Sequence, residues 1–271
     1  MTAGRGGVLA WDPPRTARVH LVCLPHAGSG AYQFRSWQKL LGPQVSVLAV
    51  QLPGREDRWQ EPPATRVDDV VDALVPELLD RLHLPYVVYG HSMGALLGYE
   101  TALRLGTRYG RPPAHFVAAA ARAPHEPPEP GGIDGLSDAT LVADLIAQGA
   151  LPERVARDER LIRLVTRPLR GDVTLCESYT PRPGARLPCP LDSWRGADDP
   201  GVSRAQAERW SACTTGRTTV RAFPGGHLFH LDDPLPVVDG LRRIAAEALS
   251  RDAPAGDAPL SDHRPVDKES R

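Results

Sequence analysis

Apolar residues fall in short runs separated by longer amphipathic stretches, and Gly or Pro punctuates most junctions. His20 to Leu24 (HLVCL) is a compact run closed by Pro25 and a Gly-containing loop, which predicts a buried strand. A helix is predicted over Ala31 to Leu41, stopped by Gly42-Pro43. Val45 to Leu52 (VSVLAVQL) reads as a second strand ended by Pro53-Gly54. Val67, Val70, Val71, Leu74, Leu78 and Leu82 recur at helical spacing and predict one long helix. Tyr86 to Tyr89 (YVVY), Phe116 to Ala121 (FVAAAA), Leu191 to Trp194 and Thr218 to Phe223 (TTVRAF) read as further strands. Helices are predicted over Gly94 to Leu105 and Val237 to Leu249. Strands that alternate with helices predict a mostly parallel sheet covered by helices on both faces, an α/β fold.

The rhythm breaks between Pro124 and about Pro190. The stretch APHEPPEPGG is a loop by its prolines and glycines. Helical segments follow, over Ala139 to Gln148 after an N-cap region at Ser137-Asp138, then over Ala156 to Leu169 and Gly171 to Tyr179. A helical insertion over the sheet, about 125–188, accounts for this pattern. Residues 1–17 are expected to be a flexible N-terminus, 18–250 the domain, and 251–271, rich in Asp, Pro, Ala and Arg, a disordered tail.

Charge and composition narrow the classes. The formal net charge of the 271 residues is -1, with the basic residues spread along the chain, so neither nucleic acid nor a membrane surface is indicated as a partner. No apolar run approaches the roughly 20 residues of a membrane span, and no signal-peptide core follows Met1. A cytoplasmic protein is expected. Cys23, Cys176, Cys189 and Cys213 lack metal-like spacing and read as free thiols, with Cys23 in the core.

The sharpest chemical signal is Gly90-His91-Ser92-Met93-Gly94, a G-x-S-x-G. It lies between the YVVY strand and the ALLGYETALRL helix, the strand, turn and helix that a nucleophile elbow requires. Such a turn strains the Ser backbone and presents the hydroxyl at a helix N-terminus, where free N–H groups favour developing negative charge. Ser92 is therefore the candidate nucleophile of an α/β-hydrolase fold. A hydroxyl needs a base, and this fold orders its triad Ser, acid, His. In GGHLFHLDD, His227 follows a Gly-rich loop after TTVRAF and is the candidate base; His230, one turn deeper, reads as structural, and His263 lies in the tail. The acid is expected after the preceding strand. Gly196 to Asp199 has the G-x-x-D spacing that commonly carries it, so Asp199 is chosen over Asp198. The oxyanion hole takes one N–H from Met93 and one from the loop Pro25-His26-Ala27-Gly28-Ser29-Gly30, with Ala27 the favoured donor and Gly28 the second choice. That loop lacks the Lys of a P-loop and the G-x-G-x-x-G spacing.

The blocks LVCLPHAGSGAYQFRSW, VQLPGREDR, YGHSMGALLGYE, GDVTLCESY, GADDPGVS and FPGGHLFH, in this order, resemble the type II thioesterases of bacterial polyketide and nonribosomal peptide biosynthesis. The likeness spans roughly residues 19–247, and its PHAG and LPGR blocks are not shared by generic lipases. It implies hydrolysis of acyl thioesters from the phosphopantetheine arm of acyl-carrier or peptidyl-carrier proteins, clearing stalled or misprimed synthases. It also implies a helical lid holding the GDVTLCESY block, a Ser92, Asp199 and His227 triad, an Ala27 and Met93 hole, no cofactor, and a monomer. His230 stands where the family usually has an apolar residue, and an imidazole there would bring a near-neutral titration to the catalytic loop. Two alternatives carry other substrates: a stand-alone carboxylesterase on small soluble esters, and a product-releasing thioesterase. Enzymes of the second kind usually sit at the end of a synthase, whereas this sequence opens on its own Met1 with no carrier domain upstream.

Overall fold

A computed structural model describes residues 7–126, 133, 135–147, 151 and 153–252 of the chain. The expectations for residues 1–6, for Gln148, for much of the Pro-Gly loop after Glu126, and for the tail from 253 on with His263 lie outside the described residues.

Seven strands form one sheet: β1 (Val8–Leu9), β2 (Val19–Leu24), β3 (Val45–Val50), β4 (Tyr86–His91), β5 (His115–Ala119), β6 (Leu191–Gly196) and β7 (Thr218–Phe223), in the order β1-β3-β2-β4-β5-β6-β7. All pairings are parallel except β1 with β3. The helices are α1 (Trp37–Leu41), α2 (Val67–Arg81), α3 (Met93–Tyr109), α4 (Asp138–Ala147), α5 (Glu159–Glu177), α6 (Arg204–Glu208), α7 (Phe229–Asp232) and α8 (Pro234–Asp252). Each central strand is apolar on both sides because helices cover both faces. Val22, Leu24, Leu48, Val88 and Phe116 pack with residues of α2 and α3. Their strand neighbours Leu21, Cys23, Val47, Val87 and Val117 point the other way, to α1 and α8. The α/β class and the mostly parallel sheet are as the periodicity predicts.

Four local expectations need correction. The N-terminal segment is not loose throughout: Gly7 and Val8 donate their N–H groups to Glu77 of α2 at 2.6 and 3.0 Å, and Val8 is buried beside Val50. Two apolar residues are too few for periodicity to mark a strand. The helix over Ala31 to Leu41 is two pieces, a 3-10 turn at Ala31–Phe34 and then α1. The two helices predicted either side of Arg170 are instead continuous as α5. Gly171 does not end the helix; it lets the helix approach Pro63, whose Cβ a side chain at 171 would meet at 2.5 Å. The strand YVVY runs two residues further, through His91, directly into the elbow.

Candidate active site

The elbow is made by backbone geometry. Ser92 holds φ 54° and ψ −118°, a left-handed conformation that a β-carbon resists. Its N–H donates to Ala119 O at 2.8 Å, tying the turn to the end of β5. The flanking glycines are demanded by close approach: a Cβ at Gly90 would meet the Gly94 carbonyl oxygen, and one at Gly94 would meet that of Leu24. Larger residues at either position would push the elbow off the sheet.

Three side chains from three loops converge there. Ser92 Oγ lies 3.0 Å from His227 Nε2, and His227 Nδ1 lies 2.9 Å from Asp199 Oδ2. With the carboxylate accepting, His227 Nδ1 carries the proton and Nε2 is left to accept from Ser92 Oγ–H. Asp199 follows β6, and its other oxygen accepts Gly201 N–H at 2.8 Å. Burial opposes its ionisation, but the hydrogen bond and charge of His227, with the Gly201 N–H, outweigh it and hold the carboxyl below the usual range. Asp198 is exposed and its backbone N–H donates to Gly225 O at 3.0 Å, so of the two acids it is Asp199 that reaches the imidazole. His227 follows Gly225, at φ 101°, and Gly226, while Phe229 stacks on Phe223 at 5.2 Å and anchors the far side of the loop.

The PHAG loop is a tight turn. Ser29 N–H donates to His26 O at 3.2 Å, with Ala27 and Gly28 at the corners and Gly28 at φ 79°. Gly28 N–H is taken by Asp172 Oδ2 at 2.7 Å. Of the two amides considered for the oxyanion hole, Ala27 is therefore the one not committed to the α5 carboxylate. Met93 N–H opens α3, where no carbonyl one turn earlier can accept it.

A thioesterase-domain family model matches residues 19–244. The chain belongs to the thioesterase family. It is 36% identical to a probable cadicidin biosynthesis thioesterase of Streptomyces griseus over 82% of this chain and 62% of that protein. It is 35% identical to thioesterase PikA5 of Streptomyces venezuelae over 82% of this chain and 79% of that one. Among solved structures, the type II thioesterase BorB from the borrelidin biosynthetic cluster superposes with a TM-score of 0.82 at 35% identity, covering 90% of this chain and all of that one.

Behind Ser92, His227 and Asp199, the thioesterase packs imidazoles that no motif signalled as a group. His91 Nε2 is 2.7 Å from His227 O, and its Nδ1 is 3.1 Å from Tyr89 Oη. A carbonyl only accepts, so His91 carries its proton on Nε2 and receives the Tyr89 hydroxyl on Nδ1. The ring of His230 lies 3.8 Å from that of His91, and its Nε2 bonds Gln33 Oε1 at 2.8 Å. Burial, then the neighbouring imidazoles, push both groups well below the ordinary histidine value. This runs against the expectation of a near-neutral titration at His230, which is 2% exposed and whose proton affinity burial lowers. Three of the four free thiols, those of Cys176, Cys189 and Cys213, are pushed up to about 12 by burial, and burial also holds Cys23 well above its ordinary value.

Proposed function

We propose that this thioesterase hydrolyses acyl thioesters carried on the phosphopantetheine arm of acyl-carrier or peptidyl-carrier proteins, and so removes aberrant acyl groups from a polyketide or nonribosomal peptide synthase. The observation that carries the reading is the hydrogen-bonded chain from Asp199 through His227 to Ser92. The relatives' biosynthetic-cluster names support the substrate class. In this reading residues 18–250 form the catalytic domain, and α4 with α5 is its lid.

His227 Nε2 takes the Ser92 proton as Oγ attacks the thioester carbonyl carbon. The carbonyl oxygen becomes an oxyanion facing the N–H groups of Ala27 and Met93. The C–S bond breaks, and the thiolate leaves with the proton from His227. Water then attacks the acyl-Ser92 ester, gives its proton to His227, and the free acid departs as Ser92 is reprotonated. Asp199 fixes the imidazole tautomer and stabilises the imidazolium formed in both halves. Each half-reaction returns its proton, so the chemistry closes without an added reactant beyond water.

The test is acid release from an acetyl- or propionyl-loaded carrier protein. Wild type should turn over, and Ser92→Ala should lose at least about 10³-fold in kcat. A wild-type enzyme that spares carrier thioesters yet cleaves an aryl ester would sink the editing reading and favour a small-ester hydrolase.

A further inference from the structure

We infer that Arg55 and Asp172 are positioning residues for the oxyanion hole, so that the hole is complete only while α5 is seated. The inference rests on the reading that Ala27 and Met93 supply the hole. Asp172 sits on the face of α5 turned toward the PHAG loop. Its Oδ2 accepts Gly28 N–H at 2.7 Å and Arg55 Nη1 at 2.6 Å, while Oδ1 accepts Arg55 Nη2 at 2.7 Å. Arg55 Nη1 also donates to Ser29 O at 3.1 Å. Carboxylate and guanidinium thus grip adjacent backbone groups of one turn. Both are buried, Arg55 at 4% and Asp172 at 1% exposure, so solvent does not compete for these bonds.

The turn explains why the grip matters. His26 to Ser29 has its closing hydrogen bond and a positive φ at Gly28 but none at Ala27, which is the type II arrangement. The central peptide of such a turn, joining Ala27 to Gly28, is the one that flips between types I and II. Its N–H is the group that Asp172 holds. The fork holds the turn at two points, Gly28 through its N–H and Ser29 through its carbonyl, and releasing both frees the whole His26–Ser29 turn to shift, carrying the Ala27 N–H with it. Leu169, one turn earlier on α5, lies 3.6 Å from the Cβ position of Gly28, so helix and turn are also packed together. Lid seating and oxyanion-hole geometry are therefore one event.

The experiment uses the full chain and an aryl ester, p-nitrophenyl propionate, which needs only the serine chemistry. Asp172→Asn should lose at least about 30-fold in kcat with KM changed less than about threefold, the pattern of a missing transition-state interaction. The inhibition constant of a trifluoromethyl ketone, whose adduct oxygen occupies the hole, should rise in proportion. Arg55→Lys should retain more of kcat than Arg55→Met, because a lysine keeps the charge but not the fork. Because a lone buried charge can unfold a variant, the paired Arg55→Met, Asp172→Leu protein removes both; it should fold and still be slow. Full kcat and unchanged ketone affinity in a folded Asp172→Asn or paired variant, with Ser92→Ala inactive, would overturn the inference alone. A Ser92→Ala protein that cleaves the ester at the wild-type rate would overturn the active-site reading together with it.

Discussion

At the elbow, position is set by the main chain: Ser92 is strained at φ 54°, its N–H is tied to Ala119, and two glycines let backbones pass where no β-carbon fits. On α5, position is set by charges. Asp172 and Arg55 form a buried fork, Arg170 pairs with Asp138 at 2.7 Å, and Arg167 donates to the carbonyls of Trp59 and Glu61. The first kind of support is steric and stiff. The second joins segments 32 to 117 positions apart and depends on protonation and, where exposed, on salt. The proposed reaction, with a fixed nucleophile under a lid, fits this division.

The largest effect that can break the comparison is at Asp199, which belongs to the stiff floor but acts through a charge. Asp199→Asn keeps the shape and loses the acceptor that fixes the His227 tautomer, so kcat should fall about 10⁴-fold. Asp198→Asn, at an exposed position, should stay within about twofold. Steady-state kinetics on either ester or thioester reads both. Equal losses in the two variants would mean that Asp199 is not what orients the imidazole.

The same division explains what the sequence made legible. Gly90-His91-Ser92-Met93-Gly94 advertises its geometry because a strained turn restricts residue type at fixed spacing, and the apolar runs of β2 to β5 advertise a sheet covered on both sides. The residue that bonds His227, Asp199, was reachable from the Gly196 to Asp199 spacing because Gly196 too sits where a Cβ would meet backbone carbonyls, those of Gly225 and Gly226. The Arg55–Asp172 fork was not legible. The two residues stand 117 positions apart, and neither has a neighbour pattern that names its partner. The continuity of α5 was misread for a related reason. The predicted break fell at Arg170-Gly171, where a glycine reads as a helix boundary, yet Gly171 serves a tertiary contact with Pro63 and the helix runs through it. The imidazole cluster escaped as well, since His26, His91 and His230 come from three separate segments and meet only in space.

That cluster supplies a smaller effect, which sharpens the comparison by acidity. Surroundings that exclude water hold His26 at about 4, and burial keeps His91 and His230 well below 6.5. In the unfolded chain these imidazoles take up protons near pH 6.5, while in the folded chain they do not. Stability should therefore fall as pH drops below about 6.5 and continue to fall to about 4, each such group removing up to about 1.4 kcal/mol per pH unit. On the insert, the Arg170 hydrogen bonds hold the Asp138 carboxyl below its ordinary value, so its stabilising contribution is present above that value and is lost only at lower pH. Urea midpoints at pH 7, 5.5 and 4.5 should decline steadily. A midpoint flat to pH 4.5 that drops only below 4 would show that carboxylates on the insert, and not imidazoles in the floor, set the acid limit.

The smallest effect is a shift that should not occur. His230 packs against His91, which in turn donates to the backbone of His227, so a charge at His230 would be felt by the His227 imidazole. A cation there would repel the proton on His227 and draw the acid limb of kcat/KM downward. Replacing a charged residue would release that limb upward; replacing a neutral one leaves it in place. His230→Leu removes the bond to Gln33 and should lower stability by about 1–3 kcal/mol. It should nevertheless leave the midpoint of the acid limb where it is in wild type. An upward displacement of that midpoint in the variant would mean that His230 is protonated in the folded enzyme, and that the floor of the site carries a charge of its own.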